Sequence, residues 1–315
     1  MVEPFIVFNN SFVTFDHFEQ ATKGWDLSIK KLDKGIYKGS LLQIISKKVI
    51  ITDVNIGNTL ELNGSPVLGY KSFGVPKINV APFFWRYNNL SDKTIQIYSP
   101  GSELFMINKY EMGAIDVAIE EGHFNKLCSE LKYDNVQNII LKNEFVKCDL
   151  NLLRKLQNRL AHVSVMVKNM EPKDYSLLQN EVNYEIPILL IKTLASVNPI
   201  QKNTNPFART KAIKKLIELV KEYPYEYHSL SDLSNATNVS ERTLQYSFKE
   251  KFGISPTRFI KNLKLNIIYR ALKKNSAKGF AISDIANQYG FWHMGQFAKD
   301  YKLMFGELPS ETLSK

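Results

Sequence analysis

Cysteine is scarce in this 315-residue sequence, which has only Cys128 and Cys148. Neither has a second cysteine or a histidine at metal-ligand spacing, and no CxxC pattern occurs, so the spacing excludes a disulfide framework and a zinc finger. We expect two reduced thiols that are at least partly buried. His17, His123 and His162 are scattered and lie outside the strand-rich stretch, which argues against a metal-dependent barrel enzyme.

Long apolar runs are also missing, since none approaches eighteen residues, so no membrane span is expected. The N-terminus MVEPFIVFNNSF lacks a basic region followed by an apolar stretch and a small-residue cleavage site. No secretory signal is therefore expected, and the cytoplasm is the expected location. With 44% apolar and 12% aromatic residues, the chain should fold, and its length suits two domains.

The net charge of +10 is concentrated at one end of the chain. Residues 201–315 hold 19 Lys and Arg against 10 Asp and Glu, a net charge of +9, which leaves +1 for residues 1–200. A localised positive charge of this kind indicates a module that binds a polyanion, attached to a nearly neutral domain.

The pattern of apolar residues changes along the chain. Short β-rich runs such as LLQIIS (41–46) and KTIQIYS (93–99) predict strands up to about residue 99. Beyond residue 120 the spacing is helical, and an apolar stripe that includes Leu153, Leu156 and Leu160 is typical of a core helix or of a subunit seam. The aromatic cluster at 83–87 fits either a core or a ligand pocket.

Two stretches of the basic third are similar to each other. The first begins LSDLSNATNVSERTL at Leu230, and the second begins ISDIANQYGFWHMGQF at Ile282. Matched residues lie 52 positions apart before the central turn and 53 after it, so the extra residue falls in the turn. Each copy is predicted to be a helix, a turn and a second helix that ends at a glycine. Ser229 and Ser240 are predicted to cap the helices of the first copy.

Two helix-turn-helix units in a basic segment are typical of DNA-binding proteins, in which the second helix of each unit lies in the major groove. Leu244 and Phe297 belong to apolar stripes that should face the core. Arg and Gln bind purine edges, and small or apolar groups pack on thymine methyls. The base-contacting candidates on the opposite faces are Arg242, Gln245 and Tyr246 in the first unit and Gly295, Gln296 and Lys299 in the second.

The segment between the two units runs from Pro256 to Lys274 without a glycine and predicts one helix. Nineteen helical residues span about 28 Å. This length is close to the ~34 Å between successive major grooves on one face of DNA, so one rigid connector could deliver both units to the same side. Lys261 and Lys264 on this connector are expected to reach phosphates at most.

The region from about residue 213 to residue 313 resembles the DNA-binding domain of the AraC/XylS transcription regulators. The stretch GFWHMGQFAKDYKLMFGELPSE is similar to the signature of that family in order and spacing. This resemblance implies a sequence-specific regulator, usually an activator, whose partners are double-stranded promoter DNA and RNA polymerase. It also implies that the six candidates above are the base-contacting positions.

The stretches GWDLSIKKLDKGIYKGSLLQI and PGSELFMI are more weakly similar to the cupin-like barrel of the subgroup that includes ethanolamine-operon regulators. That similarity implies that residues 1–197 form a β-barrel with trailing helices, which senses a small-molecule effector and forms a homodimer. The polar stretch 198–207 is the predicted linker. The expected fold is therefore α+β with two domains, the second (208–315) an all-α tandem helix-turn-helix domain.

Two other readings remain open. A DNA-tethered enzyme would need an activated cysteine, and neither cysteine has a zinc or catalytic setting in the sequence. An architectural protein would bind DNA without sequence preference, and a comparison of selected with scrambled duplexes would distinguish it. No catalytic residue, metal site or cofactor is expected.

Overall fold

The structure is a computed structural model that describes residues 5–22, 24–86, 88–98, 104–197, 208–226, 229–274 and 281–314. The predicted linker at 198–207 lies outside these ranges. The described residues form a β-rich N-terminal part followed by a helical C-terminal part, which confirms the α+β class.

Antiparallel strands make up most of the N-terminal part. They form a seven-stranded sheet in the order β1-β3-β4-β11-β6-β9-β12 and a five-stranded sheet in the order β2-β5-β10-β7-β8. The strands are β1 (Ile6–Phe12), β2 (Asp26–Lys31), β3 (Gly39–Ile45), β4 (Val49–Ile56), β5 (Leu60–Ser65), β6 (Tyr70–Pro76), β7 (Phe83–Trp85), β8 (Asn88–Leu90), β9 (Ile95–Tyr98), β10 (Leu104–Asn108), β11 (Met112–Glu120) and β12 (Phe145–Val146).

The two sheets face each other across a shared apolar core, which is the layered arrangement expected for a cupin-like barrel. Alternation along the strands decides which side chains face this core. In β11, Met112 and Ala114 point inward, whereas Ile115, Val117 and Ile119 point outward to a helical layer. That layer contains α2 (Glu121–Glu130), α3 (Asn135–Lys142), α4 (Leu150–Asn169) and α5 (Ile186–Ala195), while α1 (Phe15–Ala21) precedes β2.

The apolar stripe of α4 is buried inside the chain. Leu153, Leu156 and Leu160 have no exposed surface and pack in the core between the larger sheet and the helical layer. The stripe therefore serves as core, so the alternative of a subunit seam is not needed to explain it.

The C-terminal part contains the two predicted helix-turn-helix units. Its helices are α6 (Ala208–Glu222), α7 (Leu230–Thr237), α8 (Glu241–Phe252), α9 (Pro256–Lys274), α10 (Ile282–Gln288), α11 (Met294–Phe305) and α12 (Pro309–Leu313). Ser229 forms a capping box with Asp232, and Ser240 caps α8, as predicted. Gly253 and Gly306 end α8 and α11 with φ of 74° and 81°, in the left-handed region that favours glycine.

The connector helix α9 lies against the smaller sheet as well as between the two units. Asn266 pairs with the backbone of β2 at Lys31, accepting from the backbone N–H at 2.9 Å and donating to the carbonyl oxygen at 2.7 Å. Asn262 donates to the carbonyl of Leu32. Because β2 is an edge strand, the Asn266 side chain satisfies backbone groups that would otherwise lack a partner.

Ion pairs surround this contact between the two parts of the chain. Arg270 of α9 donates to Glu19 of α1 at 2.7 Å and 3.2 Å, which is a bidentate arrangement. On α6, Lys221 contacts the buried carboxylate of Glu61 at 3.2 Å. Burial alone would raise the pKa of Glu61, but the charges of Lys30 and Lys221 outweigh burial and lower it.

We expect Asn266→Ala to lower the free energy of unfolding by about 2 to 4 kcal/mol, because two buried backbone groups lose their partner. Urea denaturation of the full chain measures this change. Asn158→Ala, at an exposed position of α4, is the matched control and should change stability by less than about 0.5 kcal/mol. Equal losses in the two variants would contradict the role assigned to Asn266.

Candidate DNA-binding surface and interior cavity

The second helix of the first unit, α8, separates a buried face from an exposed face. Leu244 and Phe248 are fully buried in the core of the unit. Arg242, Gln245 and Tyr246 are exposed, and Tyr246 keeps 61% of its surface accessible. The structure therefore brings the three predicted positions of this unit onto one open helix face.

The second helix of the second unit, α11, repeats this arrangement. Phe297 and Tyr301 are buried, whereas Gly295, Gln296 and Lys299 are exposed. A Cβ added at Gly295 would meet no atom within 4 Å, so packing does not require glycine there. The described residues of the N-terminal part leave all six predicted positions exposed, although they pack closely against α9.

A groove of about 290 Å³ runs along α9 beside the second unit. Trp292 and His293, in the turn before α11, line it, and Trp292 keeps 71% of its surface accessible. An exposed indole next to basic side chains is suited to contact a nucleic-acid backbone or base edge. Lys264 also lines the groove, but it is buried, and this burial lowers its pKa. The expectation was that Lys264 reaches phosphates at most, and its burial leaves little of this side chain at the surface.

Asp300 is a residue of this surface that the sequence analysis missed. Its carboxylate accepts a hydrogen bond from Gln296 at 2.9 Å and from Lys261 at 2.6 Å. Burial alone would raise the pKa of Asp300, but these hydrogen bonds and the charge of Lys261 lower it. Lys261 is thus paired within the protein. The sequence signal for the contact between Gln296 and Asp300 was their four-residue spacing, which places both side chains on one side of a helix.

A second candidate site lies inside the N-terminal part, between the two sheets. It is a cavity of about 50 Å³, lined mainly by apolar side chains and by Trp25, Trp85 and Tyr98. The three rings meet edge to face, with the centroids of Trp25 and Trp85 each 5.1 Å from that of Tyr98. Phe83, Phe84 and Trp85 of the aromatic cluster thus belong to the core, and Trp85 also lines a pocket, whereas Tyr87 lies outside the described residues.

Asp116 is the carboxyl group of this cavity. Its side chain is partly buried, lines the cavity and accepts a hydrogen bond from Tyr98 at 2.8 Å. Burial raises the pKa of Asp116 to about 7, and the charge of Asp53 adds to this effect, although the hydrogen bond from Tyr98 opposes it. Asp116 faces Thr52 on β4 and Gly74 on β6 in the sheet register, so it sits in the middle of the larger sheet.

Neither a metal site nor a membrane span is found in the described ranges. Within those ranges, no three His, Cys, Asp or Glu residues are grouped so as to hold a metal ion. Likewise, no helix among those residues is long and apolar enough to cross a membrane.

The C-terminal part of the chain is similar to a known domain family. A model of the helix-turn-helix domain family matches residues 233–315. XylDLEGF operon transcriptional activator 3 of Pseudomonas putida is 25% identical over 227 residues, which cover 72% of this chain and 63% of that protein. XylDLEGF operon transcriptional activator 2 of the same species is 34% identical over 101 residues, covering 32% of this chain and 64% of that protein. The chain thus spans less than two thirds of the length of these relatives.

Among solved structures, the AraC-like transcriptional activator CuxR is 11% identical and has a TM-score of 0.43, with 90% of this chain and 100% of that chain covered. The C-terminal part of this chain is a helix-turn-helix domain. The resemblance of the sequence to the AraC/XylS family is confirmed.

The raised pKa of Asp116 predicts how stability depends on pH. Between about pH 4 and pH 7 the folded protein holds a proton on Asp116 that the unfolded chain has released, so the free energy of unfolding should fall as the pH rises. In Asp116→Asn, this fall in the free energy of unfolding between pH 4 and pH 7 should be smaller than in the wild-type protein by roughly 2 to 4 kcal/mol.

The measurement is urea denaturation from pH 4 to pH 8. Asp26→Asn is the control, because Asp26 is an exposed carboxyl on β2. A pH dependence that is the same in the wild-type protein and in Asp116→Asn would contradict the assignment.

Proposed function

We propose that this protein is a sequence-specific DNA-binding transcription activator. Helices α8 and α11 enter successive major grooves, and α9 fixes the distance between them. The N-terminal part senses a small molecule and passes this signal to the DNA-binding domain through the contact at α9. The names of the Pseudomonas putida relatives support activation as the outcome.

This proposal rests on one observation, which is that the second helices of the two units expose equivalent faces to solvent. In each unit the apolar face of the second helix is buried, and the side chains suited to base contact remain exposed. Arg242 in the first unit and Gln296 in the second both lie in the first turn of their helices, where side chains reach base edges. A surface of this kind supports base reading as well as phosphate binding.

The proposed partners follow from this activity. Double-stranded promoter DNA is the primary partner, and RNA polymerase is the partner that the family resemblance implies. The cavity around Asp116 supports a small-molecule effector, because an apolar pocket with a few polar groups is the usual form of a ligand site. A homodimer through the N-terminal part and a cytoplasmic location complete the proposal.

The raised pKa values of the two thiol groups argue against the alternative of a DNA-tethered enzyme. Burial raises the pKa of Cys128 to about 11 and that of Cys148 to about 12, and the neighbouring carboxylates Asp134 and Asp149 add to the shifts. A nucleophilic cysteine needs the opposite change, because the thiolate is the reactive form.

We expect the double substitution Cys128→Ala and Cys148→Ala to leave promoter binding intact in the folded protein. Gel-shift titration of both proteins on the same selected duplex measures this, and thermal denaturation checks folding. Loss of binding by a folded double variant would favour redox or covalent chemistry instead.

We expect Arg242→Ala and Gln296→Ala each to weaken binding to a selected site by about 1 to 3 kcal/mol, with little change on random DNA. The two variants should lose base preference at different positions, about one helical turn apart, because each residue belongs to a different unit. A base-substitution scan of the site against each variant is the measurement.

Lys168→Ala is the control for these variants, since Lys168 is an exposed cation on α4, far along the chain from both units. It should change neither affinity nor base preference. If Arg242→Ala and Gln296→Ala alter preference at the same base pairs, or at none, the two-groove proposal is wrong. Equal affinity of the wild-type protein for selected and scrambled duplexes would favour an architectural role.

A further inference from the structure

The side-chain amide of Gln296 has a fixed orientation in the structure. Its Nε2 donates to Oδ2 of Asp300, one turn further along α11. A carboxylate only accepts hydrogen bonds, and the pKa of Asp300 is lowered, so the amide nitrogen and not the amide oxygen must face it. The orientation of Gln296 therefore follows from the chemistry of its partner.

This contact uses one of the two N–H groups of the amide. The carbonyl oxygen and the other N–H of Gln296 remain available on the exposed side of α11. In the major groove, adenine presents one acceptor (N7) and one donor (N6–H), whereas guanine presents two acceptors (N7 and O6). The remaining groups of Gln296 match adenine, and they lack the second donor that guanine requires.

We propose that Asp300 is a positioning residue that makes Gln296 select adenine over guanine. This inference rests on the proposed function, because it concerns the base that α11 reads. Asp300 acts through Gln296 and touches no base itself. It limits the hydrogen-bonding groups that Gln296 presents, and it thereby converts an amide that suits either purine into one that suits adenine.

Lys261 of α9 completes this arrangement. Its Nζ lies 2.6 Å from Oδ2 of Asp300, so the negative charge next to the DNA surface is neutralised within the protein. An unpaired carboxylate at this place would repel the phosphate backbone. The ion pair also attaches α11 to the connector helix, which limits movement of the recognition helix relative to the rest of the domain.

The first unit lacks this pair and provides an internal comparison. By the 53-residue offset, Gln296 and Asp300 correspond to Thr243 and Ser247. The glutamine of the first unit, Gln245, is followed four residues later by Lys249, which cannot accept a hydrogen bond. Any purine preference at Gln245 should therefore be independent of the mechanism proposed for Gln296.

The test begins with selection of duplexes by the full-length protein. The base read by Gln296 is identified as the position whose preference disappears in Gln296→Ala. At that position the wild-type protein should prefer adenine over guanine by roughly 5- to 150-fold. Asp300→Ala should bring this ratio close to one while leaving preferences at the first unit unchanged.

Two further variants distinguish an effect on the orientation of the Gln296 amide from a general structural effect. Asp300→Asn preserves the size of the side chain but supplies a donor for the Gln296 carbonyl, so guanine should become tolerated. Lys261→Met removes the ion pair and leaves the hydrogen bond, so it should weaken binding to all duplexes alike and preserve the adenine-to-guanine ratio. A purely structural role for Asp300 would lower affinity for every sequence without changing this ratio.

The outcomes distinguish this inference from the proposed function. Absence of sequence-specific binding by the wild-type protein would overturn the proposed function, and this inference with it. Specific binding with an unchanged adenine-to-guanine ratio in folded Asp300→Ala and Asp300→Asn would overturn only the positioning role. A guanine preference in the wild-type protein would also contradict it. In a double variant, Asp300→Ala should have no additional effect on base preference once Gln296→Ala is present.

Discussion

The burial of α9 on two sides is the constraint on which the rest of the structure depends. Phe259 and Leu263 contribute to the core of the first unit, whereas Leu265, Ile268 and Leu272 pack in the core that the second unit shares with the sheets. One helix therefore fixes the position of both recognition helices relative to each other and to the N-terminal part. Under the proposed function, a change in the sheets would reach the predicted base-contacting faces through packed side chains, because a close-packed core has few ways to absorb a shift.

Much of the C-terminal domain could be predicted from the sequence, because its signals are local. The repeat, the serine caps and the glycine ends each depend on a few neighbouring residues, and the apolar spacing identified which face of α8 and α11 is buried. The second buried face of α9 could not be predicted in this way. Asn262 and Asn266 are polar, so a helical pattern places them toward solvent, and only the distant strand β2 explains their burial.

The N-terminal part was harder to predict because its strands come together only in the folded sheet. The β-rich runs indicated strands, but neither their order nor the position of the cavity is visible in a single sequence. Asp116 illustrates the difficulty. In β11 it follows Met112 and Ala114 on the inward face, and alternation alone would have placed it in the core, where a carboxylate is not expected without a partner.

The pairing of Asn266 with Lys31 also bears on self-association. While α9 is docked, a side-chain amide occupies the backbone groups of an edge strand in the way that a neighbouring strand would. Exposed edge strands are the places where sheets of two molecules join. The connector and a second molecule would therefore compete for the same backbone N–H and carbonyl, so a molecule with its DNA-binding domain docked is protected from strand exchange at this edge.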